Sequence, residues 1–308
     1  MRSTNFTPMG TERSSPRYSG LDLWDPADIL ESLIEGQFAA MAAVHTARPA
    51  IEAAALAIEA RLRDRGRLIY VGAGTSGRLA VQDGAELIPT FGWPEERLLL
   101  LMAGGQEALL RSVEGAEDKA DQGAPLIEQH GVNSDDVLIA VAASGTTPFT
   151  LACMRAARRQ GALTIGIANN RGTPILAESH YPILLDTGTE PIAGSTRLKA
   201  GTAQKITLNV LSSLIMILLG KVHQGLMVDV RISNEKLARR AVDMLVQLTG
   251  HGSNEARDAL DRANGSVKLA ALLLHGCELE RAKNLLDQSG GRLRRALDLL
   301  NTPKSEPA

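Results

Sequence analysis

The stretch from Gly66 to Gly92 constrains the fold more than any other part of the chain. A short apolar run with β-branched residues ends at Val71 and is typical of a buried parallel strand. A turn of glycine and hydroxyl residues follows, and a helical pattern comes next. This order brings backbone N–H groups together at the positive end of a helix dipole. We therefore predict that Gly74, Thr75 and Ser76 bind an anion, most simply a phosphate group.

The same turn allows two other interpretations. Its glycines fit the G-x-G-x-x-G pattern of dinucleotide-binding folds, in which an acidic residue ends the next strand about twenty residues later. Here Glu95 and Glu96 instead precede the next apolar run, Leu98 to Met102. A purely structural tight turn is the second alternative. Both are weakened because a second loop of the same kind occurs further along the chain.

That second loop follows the apolar run at residues 136–142 and contains Ser144, Gly145, Thr146 and Thr147. A helical pattern begins directly after it. Both loops thus follow a predicted strand and precede a predicted helix. Ligands of open parallel sheets bind at the carboxyl ends of the strands. We therefore expect the two loops to form one site.

Alternation of buried strands with helices predicts an α/β fold with a doubly wound parallel sheet. Two helices precede the first strand, a helix is predicted over residues 106–118, and short helices with glycine breaks follow Gly250. We divide the chain into a flexible N-terminal arm, an α/β domain and a small C-terminal helical domain. Their predicted boundaries are residues 1–20, 21–248 and 249–308.

A third hydroxyl loop contains Ser195 and Thr196 and is followed by Arg197 and Lys199, just before a long helical pattern. Cations are unfavourable at a helix start unless an anion lies nearby. The pattern therefore favours a further anion site over a solvated helix start, although both remain open.

Composition excludes several classes of partner. The net charge is −2 with both signs interspersed, which argues against nucleic acid and against an anionic membrane surface. The two cysteines lack the spacing of metal ligands and fit a reducing cytoplasm. The apolar stretch Val210 to Leu219 is far shorter than the ~20 residues that span a bilayer, so we expect a buried or interface helix.

The loops and sheet resemble the SIS domain, a sugar isomerase fold that binds phosphosugars. Longer blocks resemble the N-acetylmuramic acid 6-phosphate etherase family, whose close relative is the animal glucokinase regulatory protein. These blocks are GAGTSGRL, VEGAEDKAD, AASGTTPF, GSTRLKAGTAQK and LMVDVRISNEKL. The resemblance extends from about Thr11 through the helical tail.

The resemblance implies a cytoplasmic, homodimeric lyase in the recycling of cell-wall sugars. Such an enzyme cleaves the lactyl ether of N-acetylmuramic acid 6-phosphate, releasing D-lactate and N-acetylglucosamine 6-phosphate. It needs no metal and no other cofactor. Its implied mechanism is elimination from the open-chain aldehyde followed by addition of water, which requires two positioned acid/base groups.

By the resemblance, Glu86 is the proton donor and Glu117 is assigned as the base. The block around Glu117 matches closely. Relatives usually have a serine before the first glutamate and Cys-Pro-Pro after it, whereas this chain has Ala85 and then Leu87-Ile88-Pro89. Without the resemblance, both glutamates would be interpreted as solvated carboxylates.

A straight helix from Gly77 places Glu86 about 13 Å along the axis from the phosphate loop. Glu117 is expected a helix length beyond Gly105. A hexose phosphate does not bridge such a distance, so we expect a neighbouring subunit to share the site, or the first helix to bend near Gly84.

Three other functions are compatible with parts of the pattern. An aldose–ketose phosphosugar isomerase would use the same loops and the same proton abstraction without releasing lactate. A non-catalytic sugar-phosphate sensor would bind without turnover, which the two glutamates disfavour. A nicotinamide-dependent dehydrogenase would require the dinucleotide interpretation of the first loop.

Overall fold

The computed structural model describes residues 10–232 and 234–302. Its centre is a five-stranded parallel sheet in the order β2-β1-β3-β4-β5. The doubly wound α/β fold predicted from the sequence is confirmed. The strands are β1 (Leu68–Gly72), β2 (Leu98–Met102), β3 (Val137–Val141), β4 (Leu163–Ala168) and β5 (Tyr181–Leu184).

The register of the sheet explains why the polar loops meet. Gly72 at the end of β1 pairs with Met102 of β2 and with Val141 of β3, and Val141 pairs with Ile167 of β4. The carboxyl ends of these strands are therefore level. Every residue of β1, β3 and β4 is buried, as expected for strands covered on both faces. The segments that leave these strands begin at one edge of the sheet.

The chain divides into two compact units. The first takes the residues up to Gly84 and Glu96–Ser212, and the second takes Ala85–Glu95 and the residues from Ser213 onward. The sheet belongs to the first unit. Eight helices accompany it in the described part of the chain. They are α1 (Pro26–Thr46), α2 (Arg48–Leu62), α3 (Gly74–Phe91), α4 (Glu107–Leu110), α5 (Gly123–Gln129), α6 (Pro148–Arg159), α7 (Pro174–Glu178) and α8 (Lys199–Leu218). The boundary between the two units falls within α3 and within α8.

The second unit is mainly helical. A small antiparallel hairpin, β6 (Val222–His223) and β7 (Leu226–Met227), precedes its helices. The short helices predicted after Gly250 lie in this unit. The helices are α9 (Glu235–Thr249), α10 (Ser253–Arg262), α11 (Val267–Leu274), α12 (Leu279–Gln288) and α13 (Leu293–Asn301). The side chain of Asn234 caps α9 by accepting from the backbone N–H of Leu237.

Helix α8 has the length and apolar composition of a membrane span, but half of its apolar window is buried inside the protein. Core helices of soluble proteins pass the same test. Polar side chains of Gln204 and Thr207 are also fully buried on this helix.

The predicted flexible arm covers residues 1–20, of which residues 1–9 lie outside the described part. The remainder forms short 3₁₀ turns at Gly10–Glu12 and Pro16–Tyr18. Thr11 is only 1% exposed. This end of the arm is therefore packed into the first unit.

Candidate functional site

Two neighbouring cavities lie at the carboxyl edge of the sheet, both within the first unit. The first, which we call the hydroxyl cavity, has a volume of about 320 Å³ and contains the side chains of both predicted hydroxyl loops. The second, the arginine cavity, has a volume of about 310 Å³ and includes Arg78. Ala73, Gly74 and Glu117 line both cavities. The two spaces are therefore adjacent, with Glu117 at their common wall.

The predicted first hydroxyl loop lies directly after β1, and its residues Gly74, Thr75 and Ser76 form the first turn of α3 and line the hydroxyl cavity. Helix α3 begins at Gly74, so its first backbone N–H groups lack partners within the helix. Together with the Thr75 and Ser76 hydroxyls, they form the predicted type of anion site.

The second hydroxyl loop joins β3 to α6 and supplies Ser144, Thr146 and Thr147 to the same cavity. The Ser144 Oγ accepts from the backbone N–H of Thr146 at 3.2 Å and lies 3.2 Å from the Thr147 Oγ1. Gly145 is not in the cavity lining. It has a φ of +71°, and a Cβ there would lie 2.2 Å from the Thr173 Oγ1. Glycine is thus required to shape this loop.

Only some of the residues predicted in the third loop line the hydroxyl cavity. Gly194 and Thr196 line the hydroxyl cavity, whereas Ser195, Arg197 and Lys199 do not. The anion beside this helix start belongs to the protein itself.

That anion is the buried carboxylate of Glu190. It accepts from the backbone N–H groups of Lys199 at 3.0 Å and of Ala200 at 2.9 Å. The stem of Lys199 packs against Gly36 of α1, and burial lowers the pKa of its amine while Glu190 opposes that shift. The start of α8 is therefore already capped by a carboxylate.

The expectation of a helix over residues 106–118 is wrong, and with it the expectation that Glu117 lies a helix length from the loops. Helix α4 is a single turn, and the backbone becomes extended at Arg111 (φ −129°, ψ 157°). Gly115 then adopts a left-handed conformation with a φ of +66°, and Glu117 lies in the short 3₁₀ turn that follows. The chain returns toward the sheet edge, which is why Glu117 reaches the cavities.

Arg78 holds this irregular segment beside α3. Its Nε donates to the carbonyls of Ala108 at 3.0 Å and Leu109 at 3.2 Å, and its Nη2 donates to the carbonyl of Arg111 at 3.1 Å. One guanidinium thus binds three backbone carbonyls, two in α4 and one at the extended residue that follows it. Because Arg78 is on α3, it couples the position of the segment that carries Glu117 to the first hydroxyl loop.

Glu86 is placed differently from Glu117. It lies on the part of α3 that belongs to the second unit, is exposed, and is absent from the lining of both cavities. Helix α3 is continuous from Gly74 to Phe91, so the bend considered at Gly84 does not end the helix. A Cβ at Gly84 would lie 2.5 Å from a Leu100 methyl carbon, so this glycine allows close packing of α3 on the sheet.

Two further residues of the hydroxyl cavity, Thr11 and Glu12, were not predicted from the sequence. Thr11 contacts Asn170, which is 159 positions away along the chain. No local pattern reports a contact of that range. The only sequence signal was that the family resemblance begins at about Thr11.

The lining of the hydroxyl cavity offers ligand partners of two kinds. The starts of α3 and α6 and the hydroxyl loops offer hydrogen-bond donors and positive helix ends, whereas Glu12, Glu117 and Asp118 offer carboxylate acceptors. Such a cavity offers partners both to an anionic group and to the hydroxyl or amide donors of one ligand. Among the described residues, no group of three or more His, Cys, Asp or Glu side chains is arranged to hold a metal ion.

Two family models match parts of the chain. Residues 51–158 match the glucokinase regulatory protein N-terminal SIS domain, and residues 122–214 match the SIS domain.

An N-acetylmuramic acid 6-phosphate etherase of Deinococcus radiodurans is 49% identical over 291 residues, which cover 94% of this chain and 95% of the relative. An etherase of the same name from Mesorhizobium japonicum is 41% identical, with 93% and 94% coverage. Among solved structures, a phosphoheptose isomerase from Francisella tularensis is similar with a TM-score of 0.48 and 21% identity, covering 63% of this chain and 100% of that chain.

Proposed function

Because the chain belongs to the N-acetylmuramic acid 6-phosphate etherase family, we propose that it cleaves the D-lactyl ether of N-acetylmuramic acid 6-phosphate. The products are N-acetylglucosamine 6-phosphate and D-lactate. The observation that carries this proposal is the position of Glu117, a carboxylate in the wall of the cavity that also contains both hydroxyl loops. A base beside an anion site is what proton abstraction from a sugar phosphate requires.

The phosphate of the substrate binds to the hydroxyl loops. Gly74, Thr75 and Ser76 contribute from the start of α3, and Ser144, Thr146 and Thr147 contribute from the loop before α6. Two helix N-termini and several hydroxyl donors then share the phosphate charge. Thr196 adds a hydroxyl from the third loop, while Gly145 shapes the second loop and Lys199 lies at the capped start of α8.

The reaction begins on the open-chain aldehyde. Glu117 removes the proton at C2, which the neighbouring aldehyde acidifies. The electron pair forms a C2–C3 double bond as the C3–O bond breaks, and Glu86 protonates the departing lactate oxygen. Water then adds to C3 and a proton returns to C2, so the sugar product gains the elements of water. The two glutamates alternate as acid and base.

A homodimer explains how Glu86 takes part although it is absent from the lining of the cavities. Helix α1 presents an exposed apolar stripe at helical spacing, with Phe38 72% exposed. The other members of the stripe are Leu30, Ile34 and Met41. A second copy of the chain would cover these side chains, and its Glu86 would complete the site of its partner.

Mixed dimers test this sharing of the site. One chain carries Glu86→Gln and the other carries Ser144→Ala with Thr147→Val. Activity restored in the mixture relative to either variant alone supports a shared site. The assay uses a substrate concentration below the wild-type KM, where the loop variant is expected to release little lactate. A mixture no more active than the average of its two components contradicts the shared site.

The proposed biological role is the recycling of cell-wall amino sugars in the cytoplasm. The cleavage converts a lactyl-substituted sugar phosphate into an ordinary amino-sugar phosphate.

Incubation of the purified protein with N-acetylmuramic acid 6-phosphate, followed by a D-lactate assay, tests the proposed activity. We expect lactate from the wild type, none above background from Glu86→Gln or Glu117→Gln, and wild-type release from Glu128→Gln, an exposed glutamate on α5 outside both cavities. No lactate from folded wild-type protein refutes the etherase function. Formation of a ketose phosphate from a second substrate, an aldose 6-phosphate with a hydroxyl at C2, would instead identify an isomerase.

A further inference from the structure

The N-terminal turn Gly10–Glu12 forms part of the wall of the hydroxyl cavity. Thr11 is joined to Asn170 by a reciprocal pair of hydrogen bonds. The Thr11 backbone N–H donates to the Asn170 Oδ1 at 3.2 Å, and the Asn170 Nδ2 donates to the Thr11 Oγ1 at 2.9 Å. Both residues are at least 95% buried. The turn is therefore fixed in place by a buried polar contact.

The same contact extends to two of the loops around the cavity. The Asn170 Nδ2 also donates at 2.9 Å to the carbonyl of Ala143, which directly precedes Ser144 of the second hydroxyl loop. The backbone N–H of Gly194, in the third loop, donates to the carbonyl of Thr11 at 3.0 Å. Thr11 thus connects the N-terminal turn to both loops, and Glu12 follows it into the cavity lining.

The charge of Glu12 determines which part of a ligand it can contact. A carboxylate repels a phosphate, so the phosphate lies on the hydroxyl loops and the helix starts rather than beside Glu12. A carboxylate is a strong acceptor for hydroxyl and amide N–H donors, since hydrogen bonds to charged groups are stronger than neutral ones. An amino-sugar phosphate offers both kinds of donor at the end away from its phosphate.

We propose that Glu12 is a substrate-contacting residue, whose carboxylate accepts a hydrogen bond from a hydroxyl or amide group of the bound amino-sugar phosphate, and that Thr11 positions it. The identity of the sugar rests on the proposed function. The contact itself rests on the cavity, the buried Thr11–Asn170 pair and the negative charge of Glu12 in the cavity lining. The N-terminal turn then acts as a specificity-determining part of the site.

Calorimetric titration with two probes, N-acetylglucosamine 6-phosphate and inorganic phosphate, tests the contact. Glu12→Gln and Glu12→Ala are expected to lower the affinity for the sugar phosphate about 10-fold or more. The same variants bind inorganic phosphate as well as the wild type or more tightly, because a negative charge has been removed. Glu128→Gln leaves both affinities unchanged. Wild-type affinity for the sugar phosphate in both Glu12 variants overturns the proposal. An equal loss of affinity for the sugar phosphate and for inorganic phosphate also overturns it.

The positioning role of Thr11 is tested with Thr11→Val and Thr11→Ser. Valine keeps the shape of the side chain and removes the acceptor for Asn170, so sugar-phosphate binding should fall while phosphate binding persists. Serine restores the acceptor and should restore binding. Equal sugar-phosphate affinity in the wild type and the valine variant contradicts the role.

The lactate assay distinguishes a failure of the Glu12 contact from a failure of the proposed function. A wild type that binds the sugar phosphate but releases no lactate refutes the etherase activity, and the affinities of the Glu12 variants still decide the contact. Normal lactate release with unaltered binding in both Glu12 variants refutes the contact alone.

Discussion

Two kinds of segment leave the same edge of the sheet, and they are built in different ways. The hydroxyl loops after β1 and β3 lead directly into α3 and α6, so strand, turn and helix define their shape. The segment after β2 has one helical turn, an extended residue and a left-handed glycine before it reaches Glu117. The proposed phosphate site thus lies on regular strand–turn–helix connections, whereas the proposed base lies on an irregular segment.

Arg78 makes distant contacts with this irregular segment. Its guanidinium supplies hydrogen bonds to three carbonyls of the segment after β2, at separations of 30 to 33 residues. The second hydroxyl loop adds a short-range bond, from the Thr146 backbone N–H to the Ser144 Oγ, to its contact with Asn170. Changes in the loops should therefore affect binding, while changes around the segment after β2 should affect turnover.

The largest expected effect is that of Glu117→Gln. The variant keeps the shape of the side chain and removes the base, so kcat should fall by about 10³-fold with little change in KM. Steady-state lactate release measures both constants, with Glu128→Gln as the control. A loss confined to KM would show that Glu117 binds the substrate rather than transferring a proton.

The double variant Ser144→Ala with Thr147→Val should have the opposite signature. Loss of two hydroxyl donors to the phosphate should raise KM by about 10-fold to 100-fold, since each hydrogen bond to a charged group contributes about 1.5–3 kcal/mol and the losses are not fully additive. The kcat value should change less. Steady-state lactate release again measures both constants, and an unchanged KM would place the phosphate elsewhere.

A smaller effect is expected from Arg78→Lys, which keeps the charge but cannot reproduce the planar donor geometry of guanidinium. We expect kcat to fall by about 10-fold while KM stays nearly constant, because the segment that carries Glu117 loosens and the hydroxyl loops remain. Phosphate affinity by calorimetry is the accompanying measurement. An unaltered kcat would mean that other contacts suffice to place Glu117.

The smallest effect concerns how α3 packs within the first unit. Asp83 is 3% exposed and accepts hydrogen bonds from the Tyr70 hydroxyl, the Asn209 amide and the Ser212 hydroxyl. Burial raises the pKa of Asp83, although these hydrogen bonds oppose the shift.

Protonated Asp83 therefore stabilises the fold. This contribution is fully present below the pKa of Asp83 in the unfolded chain, about 3.9, and it is lost as the pH rises through the higher pKa of Asp83 in the folded protein. Asp83→Asn removes the titration. The free energy of unfolding of the wild type, measured in urea relative to that of the variant, should fall between pH 4 and neutral pH. A difference that stays constant or rises would contradict the raised pKa.

The sequence predicted the sheet and both hydroxyl loops because their signals are local. The run Leu98–Met102 matches β2 without any shift of its ends. The predicted helix over residues 106–118 failed because its apolar spacing is helical, while Gly115 and the contacts of Arg78 determine another path. Thr11 was missed for the same reason, since its partner Asn170 is distant in sequence. The placement of Glu117 and Glu12 thus depended on tertiary contacts.

Deuterium incorporation tests the central claim, that Glu117 abstracts the C2 proton in an elimination. N-acetylmuramic acid 6-phosphate is converted in ²H₂O, the reaction is stopped early, and C2 of the sugar product is examined by NMR. Elimination followed by addition of water predicts one deuterium at C2 in the wild-type product and no such labelling above background with Glu117→Gln. Lactate release by the wild type with hydrogen retained at C2 would contradict the account.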